Sequence, residues 1–450
     1  MGHATTDQAC RHFTRGRCSG CTRLPQPYPA QLAVKGDYVR AMLADVLAAD
    51  GATLHPVTAS PRPMGYRSSV KLCLSGDREG RVAAGLYQVG SKTVVPTTGC
   101  PAQTDEVNRL VAQLLGTGGS RDQRRGPAAA GAAYAGSPPG RQARGGRAAP
   151  GARGRSDRPG ARRGPAFRLP PFYNHRSRVF QKGRVKFLTI RAAPGGDLAI
   201  ILSHTGVAKP VLTAWLEAAG LAGLCAYESW LTPADGDLPV GRHVAHLSGP
   251  AHFRFALAGR TFGLAPTSFF QANNALAPAL VAAAIDFAAP GDVLLDLYGG
   301  FGAYSFAAAP RFARRIVVDG NAAAIDAAQR AAATGGDDLT AVATFCEPFL
   351  ADAGAGLAPA DRARVTHVLV NPPRGGLSRR VVTELSQERL PRAAELHYVS
   401  CNPETLARDA AALRAHGWRL RDAKPFDMFP QTDHVEVVAR FFMPASHAAR

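Results

Sequence analysis

LLDLYGGFGAYS, residues 294–305, decides the fold. An apolar run of strand length ends at Leu297 and passes into a turn carrying Gly299, Gly300 and Gly302. That is a buried strand entering a glycine-rich turn. Outward from it the pattern repeats. Before it, ALAPALVAAAIDFAA (275–289) has helical apolar spacing; after it come RRIVVDGN (314–321) as a strand and AAAIDAAQRAAA (322–333) as a helix. THVLVNPP (366–373) and ELHYVSCN (395–402) read as strands, with VVTEL (381–385) and TLARDAAALRAHG (405–417) as helices. Strands alternating with helices at this spacing predict an α/β domain, a doubly wound parallel sheet of Rossmann-like type, over residues 261–450. Ligands of such sheets sit at the carboxyl ends of the strands.

The chemically suggestive residues fall at those ends. Asp296 and the glycines close the first strand, and the missing side chains let a ligand approach the backbone. Asp319 ends the next strand, where a carboxylate accepts from ribose hydroxyls. This spacing suits a dinucleotide or S-adenosylmethionine. Asn371, in a rigid Asn-Pro-Pro turn, projects an amide able to read a base or a cofactor group. It favours a nucleic-acid methyltransferase over a dehydrogenase. Cys401 follows a strand and precedes a helix, whose N-terminus is expected to favour a thiolate. Uracil C5 is a poor nucleophile, and a thiolate adding at C6 makes C5 enolate-like. A base must then remove the C5 proton, and Glu436 in TDHVEVVARF is available. Taken singly, Cys401 reads as a small buried hydrophobe and Glu436 as a paired surface carboxylate.

Earlier in the chain, residues 31–260 read as a β-rich α+β region. It contains YRSSVKLCLSG (66–76) and RVAAGLYQ (81–88) around an SGDREG turn. RVKFLTIRAA and DLAIILSHTG follow as a hairpin, and HVAHLSGP and HFRFALAGRTFGLAP as further strands. A Gly/Ala/Pro/Arg-rich insertion at about 117–165 lacks core-forming residues and reads as disordered. Its eleven arginines between Arg121 and Arg163 supply about half of the net charge of +19. Such a charge favours a polyanionic partner. The stretches RPMGYRSSVK and YNHRSRVFQKGRVK interleave cations with Tyr66, Tyr173, Phe180 and Phe187, a pattern suited to holding phosphates and stacking bases. No window is long and apolar enough to span a bilayer, and no secretory signal opens the sequence. A cytoplasmic monomer with no membrane partner is expected.

Of eight cysteines, Cys10, Cys18 and Cys21 cluster as C-x7-C-x2-C in a segment covering residues 1–30, with Cys100 a distant fourth. The spacing fits zinc, an iron–sulfur cluster or unligated thiols. Cys73, Cys225 and Cys346 lie in apolar patterns and read as core.

FFQANN, DLYGGFG, VNPPRGG, SCN and DMFPQTDHVE occur in the order found in the RNA uracil-5-methyltransferases, and the sequence resembles that family over residues 10–442 apart from the insertion. Within it the resemblance is greatest to the RumB/RlmC type, which methylates a uracil of 23S ribosomal RNA. The resemblance implies Cys401 as nucleophile and Glu436 as proton-abstracting base. It puts Gln271, Tyr298, Asp319 and Asn371 at positions contacting S-adenosylmethionine. It also implies a [4Fe–4S] cluster on Cys10, Cys18, Cys21 and Cys100. Tyr298 stands where Phe is usual, and Asp319 where Glu is usual. Two alternatives remain: the same chemistry on transfer RNA, whose branch typically lacks the cysteines, and a non-catalytic RNA-binding or assembly factor with a relic fold. A ribosomal sister branch carries an N-terminal RNA-binding barrel, and with nine residues before Cys10 none is expected here.

Overall fold

The computed structural model describes residues 10–14, 17–76, 82–116, 170–177, 179–351 and 356–444. The arginine-rich insertion at 117–165, and positions 77–80 of the turn expected between the first two central strands, lie outside the described residues.

After a two-residue strand β1 (Thr53–Leu54), a central sheet forms from β2 (Ser69–Gly76), β3 (Val82–Tyr87), β4 (Val94–Pro96), β5 (Val185–Ala192), β6 (Leu198–His204), β7 (Cys225–Trp230) and β8 (His243–Ser248), in the order β4-β3-β2-β5-β6-β7-β8. Neighbours are antiparallel except β6 and β7. That parallel pair needs a crossover, supplied by the helix Lys209–Ala218. This helix and Asp105–Leu114 cover one face, burying Trp215, Leu212, Leu110 and Val111 against Leu72, Leu188 and Ile200. The Thr104 hydroxyl caps the second helix by accepting from the Val107 N–H.

A hairpin, β9 (Phe253–Leu257) and β10 (Arg260–Leu264), leads into the C-terminal sheet. The latter contains β11 (Gly291–Leu297), β12 (Phe312–Asp319), β13 (Leu339–Ala343), β14 (Val365–Val370), β15 (Glu395–Ser400), β16 (Arg419–Phe426) and β17 (Glu436–Phe442). Its order is β1-β16-β17-β15-β14-β11-β12-β13. β13 to β15 run parallel through β11, while β17 returns antiparallel between β15 and β16. The doubly wound reading is therefore correct. Along β11, Val293, Leu295 and Leu297 enter one layer and Leu294 the other, as a two-residue period requires. Both faces are covered by helices, so the strand reads as a continuous apolar run. Each of these leucines and valines contributes roughly 1.5–3 kcal/mol by leaving water.

Two segments sit elsewhere than the expected domain boundaries. The helix Tyr28–Asp50 packs Val39, Leu43 and Val46 into the core of the C-terminal sheet, and β1 extends that sheet beside β16. Residues 28–54 thus belong with the C-terminal layer, not with the central region. The hairpin β9–β10 likewise packs Phe253, Phe255 and Phe262 against Phe301, Phe306 and Ile325. No helix among the described residues is long and apolar enough to cross a membrane.

Candidate active site

The strand order runs outward in both directions from β11, which makes the crevice above β11 and β14 the topological switch point. Tyr298 leaves β11, Asp319 ends β12, Asn371 leaves β14 and Cys401 leaves β15. The strands are neighbours in the order β12-β11-β14-β15, so at about 4.8 Å per strand these residues form a row roughly 14 Å long. A nucleoside with an amino-acid tail fits across such a row.

At one end Asp319 is fixed by two backbone donors: Oδ2 accepts from the Gly300 N–H at 2.9 Å and Oδ1 from the Asn321 N–H at 2.7 Å. Gly300 has a φ of +58°, and Gly299 sits where a Cβ would lie 2.8 Å from the Asp296 carboxyl carbon. The turn therefore excludes side chains at both positions. Tyr298 itself holds a φ of +57°, an uncommon conformation for a residue with a Cβ. The Asn371 N–H donates to the Leu297 carbonyl at 3.2 Å, and its side-chain amide makes no hydrogen bond to the described residues.

At the other end β15 and β17 pair antiparallel, with Val399 opposite Val438 and Ser400 opposite Val437. One further step along this register sets Cys401 against Glu436, and side chains of directly opposed residues approach within about 4.5–5.5 Å at Cβ. Glu436 is almost fully enclosed, and burial pushes its carboxyl from 4.5 up to about 7. The Gln271 Nε2 donates to its Oε2 at 2.9 Å. Gln271 thus serves the carboxylate with its amide nitrogen, while its own Oε1 is buried without a partner. That orphaned acceptor faces a strong demand for a donor.

Burial raises the Cys401 thiol above its ordinary range, and the nearby Glu436 charge raises it further. The guanidinium of Arg374 opposes both through its charge and a hydrogen bond. The helix expected to favour a thiolate, Pro403–Ala415, follows directly and is capped by Asn402, whose side chain accepts from the Glu404 N–H. Arg374 was not singled out from the sequence, although it directly follows the Asn-Pro-Pro turn. A cavity of about 470 Å³ opens beside the thiol, lined among others by Arg23, Lys35, Arg374, Cys401 and His434. Lys35 is neutralised by Asp427 in a buried pair at 2.5 Å.

Cys10, Cys18, Cys21 and Cys100 come together around one cavity of about 300 Å³; burial pushes the Cys21 thiol up to about 11, with the Arg67 guanidinium opposing and the other three cysteines adding to the rise. No group of three or more His, Cys, Asp or Glu among the described residues is spaced to hold a single metal ion. Cys73, Cys225 and Cys346 are buried, as their apolar surroundings suggest.

The cysteine segment also braces the catalytic strand. Cys18 bridges to Gln88 at the edge of the central sheet, while Arg23 and Thr22 bind Asp433. Gln31 and Gln431 exchange two hydrogen bonds: Gln31 Nε2 donates to Gln431 Oε1 at 2.8 Å, and the Gln431 N–H donates to Gln31 Oε1 at 3.0 Å. Gln431 adopts a φ of +68°, so this pair holds a strained residue five positions before Glu436. Gln31→Ala orphans two buried polar groups, each costing about 1–3 kcal/mol. Amide hydrogen exchange over residues 427–436 is expected to accelerate and turnover to fall, with S-adenosylhomocysteine affinity retained. Gln31→Glu keeps the acceptor but not the donor and should be intermediate.

Tyr66, Tyr173 and Phe187, expected to stack bases, are enclosed, at 2%, 7% and 3% exposure. Tyr66 instead donates its hydroxyl to the Pro430 carbonyl at 3.0 Å. These three build the core and offer no face to a base, whereas Phe180, the fourth, is half-buried edge-on against Tyr173.

The model of the tRNA (uracil-5-)-methyltransferase family matches residues 255–441. An RNA methyltransferase of Thermosynechococcus vestitus, itself uncharacterized, is 31% identical over 94% of this chain and 82% of its own. The 23S rRNA (uracil(1939)-C(5))-methyltransferase RlmD of Pseudomonas fluorescens is 26% identical over 96% of this chain and 77% of its own. The crystal structure of the Pyrococcus abyssi tRNA (uracil-54, C5)-methyltransferase with S-adenosyl-L-homocysteine superposes with a TM-score of 0.65. It is 21% identical and covers 94% of this chain and 86% of that one. Together with the row of strand-end residues, these similarities make the chain a member of the RNA uracil-5-methyltransferase family.

Proposed function

We propose that the protein transfers the methyl group of S-adenosylmethionine to C5 of a uridine in 23S ribosomal RNA through a covalent adduct on Cys401. The observation that carries this reading is the opposition of Cys401 and Glu436 across β15 and β17, at the end of a row that begins with Asp319. Asp319 would accept from the ribose hydroxyls, with Tyr298 and Asn371 lining the crevice and the Gln271 Oε1 taking a donor from the cofactor. Cofactor binding supplies an electrophilic methyl group. Cys401 adds as thiolate to C6 of uracil, and the displaced electron pair makes C5 the nucleophile that takes the methyl group. Glu436 then removes the C5 proton, the C5–C6 double bond re-forms, and Cys401 leaves as thiolate. A base in a helix cannot present C6 and C5 to these groups, so the uridine must be unpaired or flipped out. The cavity of about 470 Å³ with Arg23 and Arg374 at its wall suits a nucleotide and its phosphate.

The ribosomal assignment draws on the four gathered cysteines and on the relative that acts on 23S rRNA. The transfer-RNA reading is favoured by the description of the family model and by the archaeal relative. Offered 23S rRNA and transfer RNA transcripts with a radiolabelled methyl donor, the protein is expected to label the 23S transcript. Label found in transfer RNA alone would reject the ribosomal assignment. With 5-fluorouridine-substituted RNA, C5 carries no removable proton, so a methylated protein–RNA adduct should persist in denaturant. Its absence would reject the covalent route.

For the cysteines, a [4Fe–4S] cluster is the reading of choice. A zinc ion holds four thiolates at about 2.3 Å, hence close to one another, whereas a cluster binds each to a different iron. Four cysteines lining one cavity offer a cluster one thiolate for each of its irons. Broad visible absorbance after anaerobic purification, lost in Cys21→Ser, is the expected signature; a colourless protein with one equivalent of zinc would overturn it.

A further inference from the structure

We propose that the end of the central sheet remote from the active site is a single-stranded RNA platform centred on Trp230. The inference rests on RNA being the substrate and adds where the flanking strand is held. β5 carries the geometry. Near its end, Arg191 bonds Ser69 and the Pro266 carbonyl, and Asn274 bonds the Ala192 carbonyl, which ties this end to the segment containing Gln271. At its start, Val185 registers with His204, and His204 with Trp230. Six residues separate Val185 from Arg191, or roughly 20 Å of strand.

Trp230 is 58% exposed, in contrast to the fully enclosed Trp215 and Trp418. Its indole lies at 26° to the His204 ring with 6.5 Å between centroids. His204 is pinned: its Nδ1 accepts from the Gly206 and Val207 N–H groups, so its Nε2 donates to Glu228 at 3.1 Å. The indole is therefore supported from one side and open on the other.

Exposed cations lie at the same end of the sheet. Lys182 and Arg184 are exposed on the segment that the Thr205 hydroxyl and N–H bind, next to His204. Neither makes an ion pair with a carboxylate among the described residues. Arg242 is exposed beside His243, the partner position of Trp230 on β8. Of the acids in this region, the partly exposed Glu228 is held by His204, and Asp237 is taken up by Lys92 and Lys186. An open indole on a sheet end that also carries the exposed Lys182 and Arg184 matches a chain of phosphates with π-faced bases. A neutral or basic protein surface would leave these charges uncompensated.

Trp230 provides its own reporter, because it is the exposed one of three tryptophans. Titration with single-stranded oligouridylate is expected to quench its emission and protect it from acrylamide. Trp230→Ala should weaken oligouridylate binding roughly tenfold to a hundredfold, and Trp230→Phe should restore most of it. Replacing Lys182 and Arg184 with alanine should lower the salt slope of binding by about one each. Oligouridylate binding with Trp230 still open to acrylamide would overturn the proposal. So would unchanged affinity and salt slope in the variants, the outcome expected of a protein-docking surface. At saturating RNA, Trp230→Ala should still form the Cys401 adduct with 5-fluorouridine RNA. Quenching without any wild-type adduct would reject the covalent mechanism and leave the platform standing.

Discussion

Glu436→Gln is expected to methylate its RNA once and then stall with the product still bonded to Cys401. Gln retains the shape but cannot accept the C5 proton, so turnover should fall roughly 10²–10⁴-fold, the usual contribution of a positioned base. Denaturing electrophoresis should show an RNA–protein adduct on natural uridine, carrying label from the methyl donor. An unlabelled adduct, or free product at the wild-type rate, would remove Glu436 from the role of base. Two further consequences distinguish this role from a structural one. In the wild type the carboxyl titrates at about 7, and only its ionised form accepts a proton. Turnover should therefore rise with pH through about 7, and the variant should lose that limb. The Glu436 charge also raises the Cys401 thiol, so its removal should let the adduct form at lower pH than in the wild type. Stability should move the other way from activity. A carboxyl raised from 4.5 to about 7 by folding makes the native state bind more protons than the unfolded chain. Wild-type stability then falls as pH rises from about 4.5 to 7. Glu436→Gln should consequently melt higher than the wild type at pH 8, with the gap closing below pH 5.

The order of the strand-end residues was legible because a parallel sheet repeats one pattern: apolar run, turn, helix. Asp319, Asn371 and Cys401 each terminate such a run, and the sheet carries all three to one edge. The approach of Glu436 to Cys401 was not legible from spacing, since it depends on β17 returning antiparallel beside β15. Gln31 and Lys35 were equally opaque. Polar residues buried on a helix face make sense only with Gln431 and Asp427 opposite them. The aromatics of the central sheet were misread for a related reason. β5 is covered on both faces and is buried along nearly its whole length, so the cations near Phe187 do not mark an exposed side. The exposure of Trp230 is not legible in CAYESW, because it depends on which residues the neighbouring strands set beside it.

Cys401→Ala is the variant with the largest expected loss. Without the thiolate, C5 keeps the weak nucleophilicity of uracil, and turnover should drop by roughly 10⁴-fold or more, the scale on which removal of a nucleophile acts. No adduct should form with 5-fluorouridine RNA. The cofactor crevice is built from β11, β12 and β14, so calorimetric affinity for S-adenosylhomocysteine should stay within a few-fold of the wild type. An adduct surviving in Cys401→Ala would assign the nucleophile elsewhere. Cys401→Ser should fail as well, because its hydroxyl ionises far above any thiol. Arg374 separates the two ways of explaining such a loss. Its guanidinium opposes the burial and the Glu436 charge that raise Cys401. Arg374→Ala leaves the nucleophile in place, yet should displace the pH profile of adduct formation upward and restore the rate at high pH. If Cys401 were only a packing residue, Arg374→Ala would leave that profile where it was. In Cys401→Ala/Glu436→Gln the stalled adduct of the single Glu436 variant should vanish. Addition at C6 precedes removal of the C5 proton, and the second group has nothing to act upon until the first has reacted.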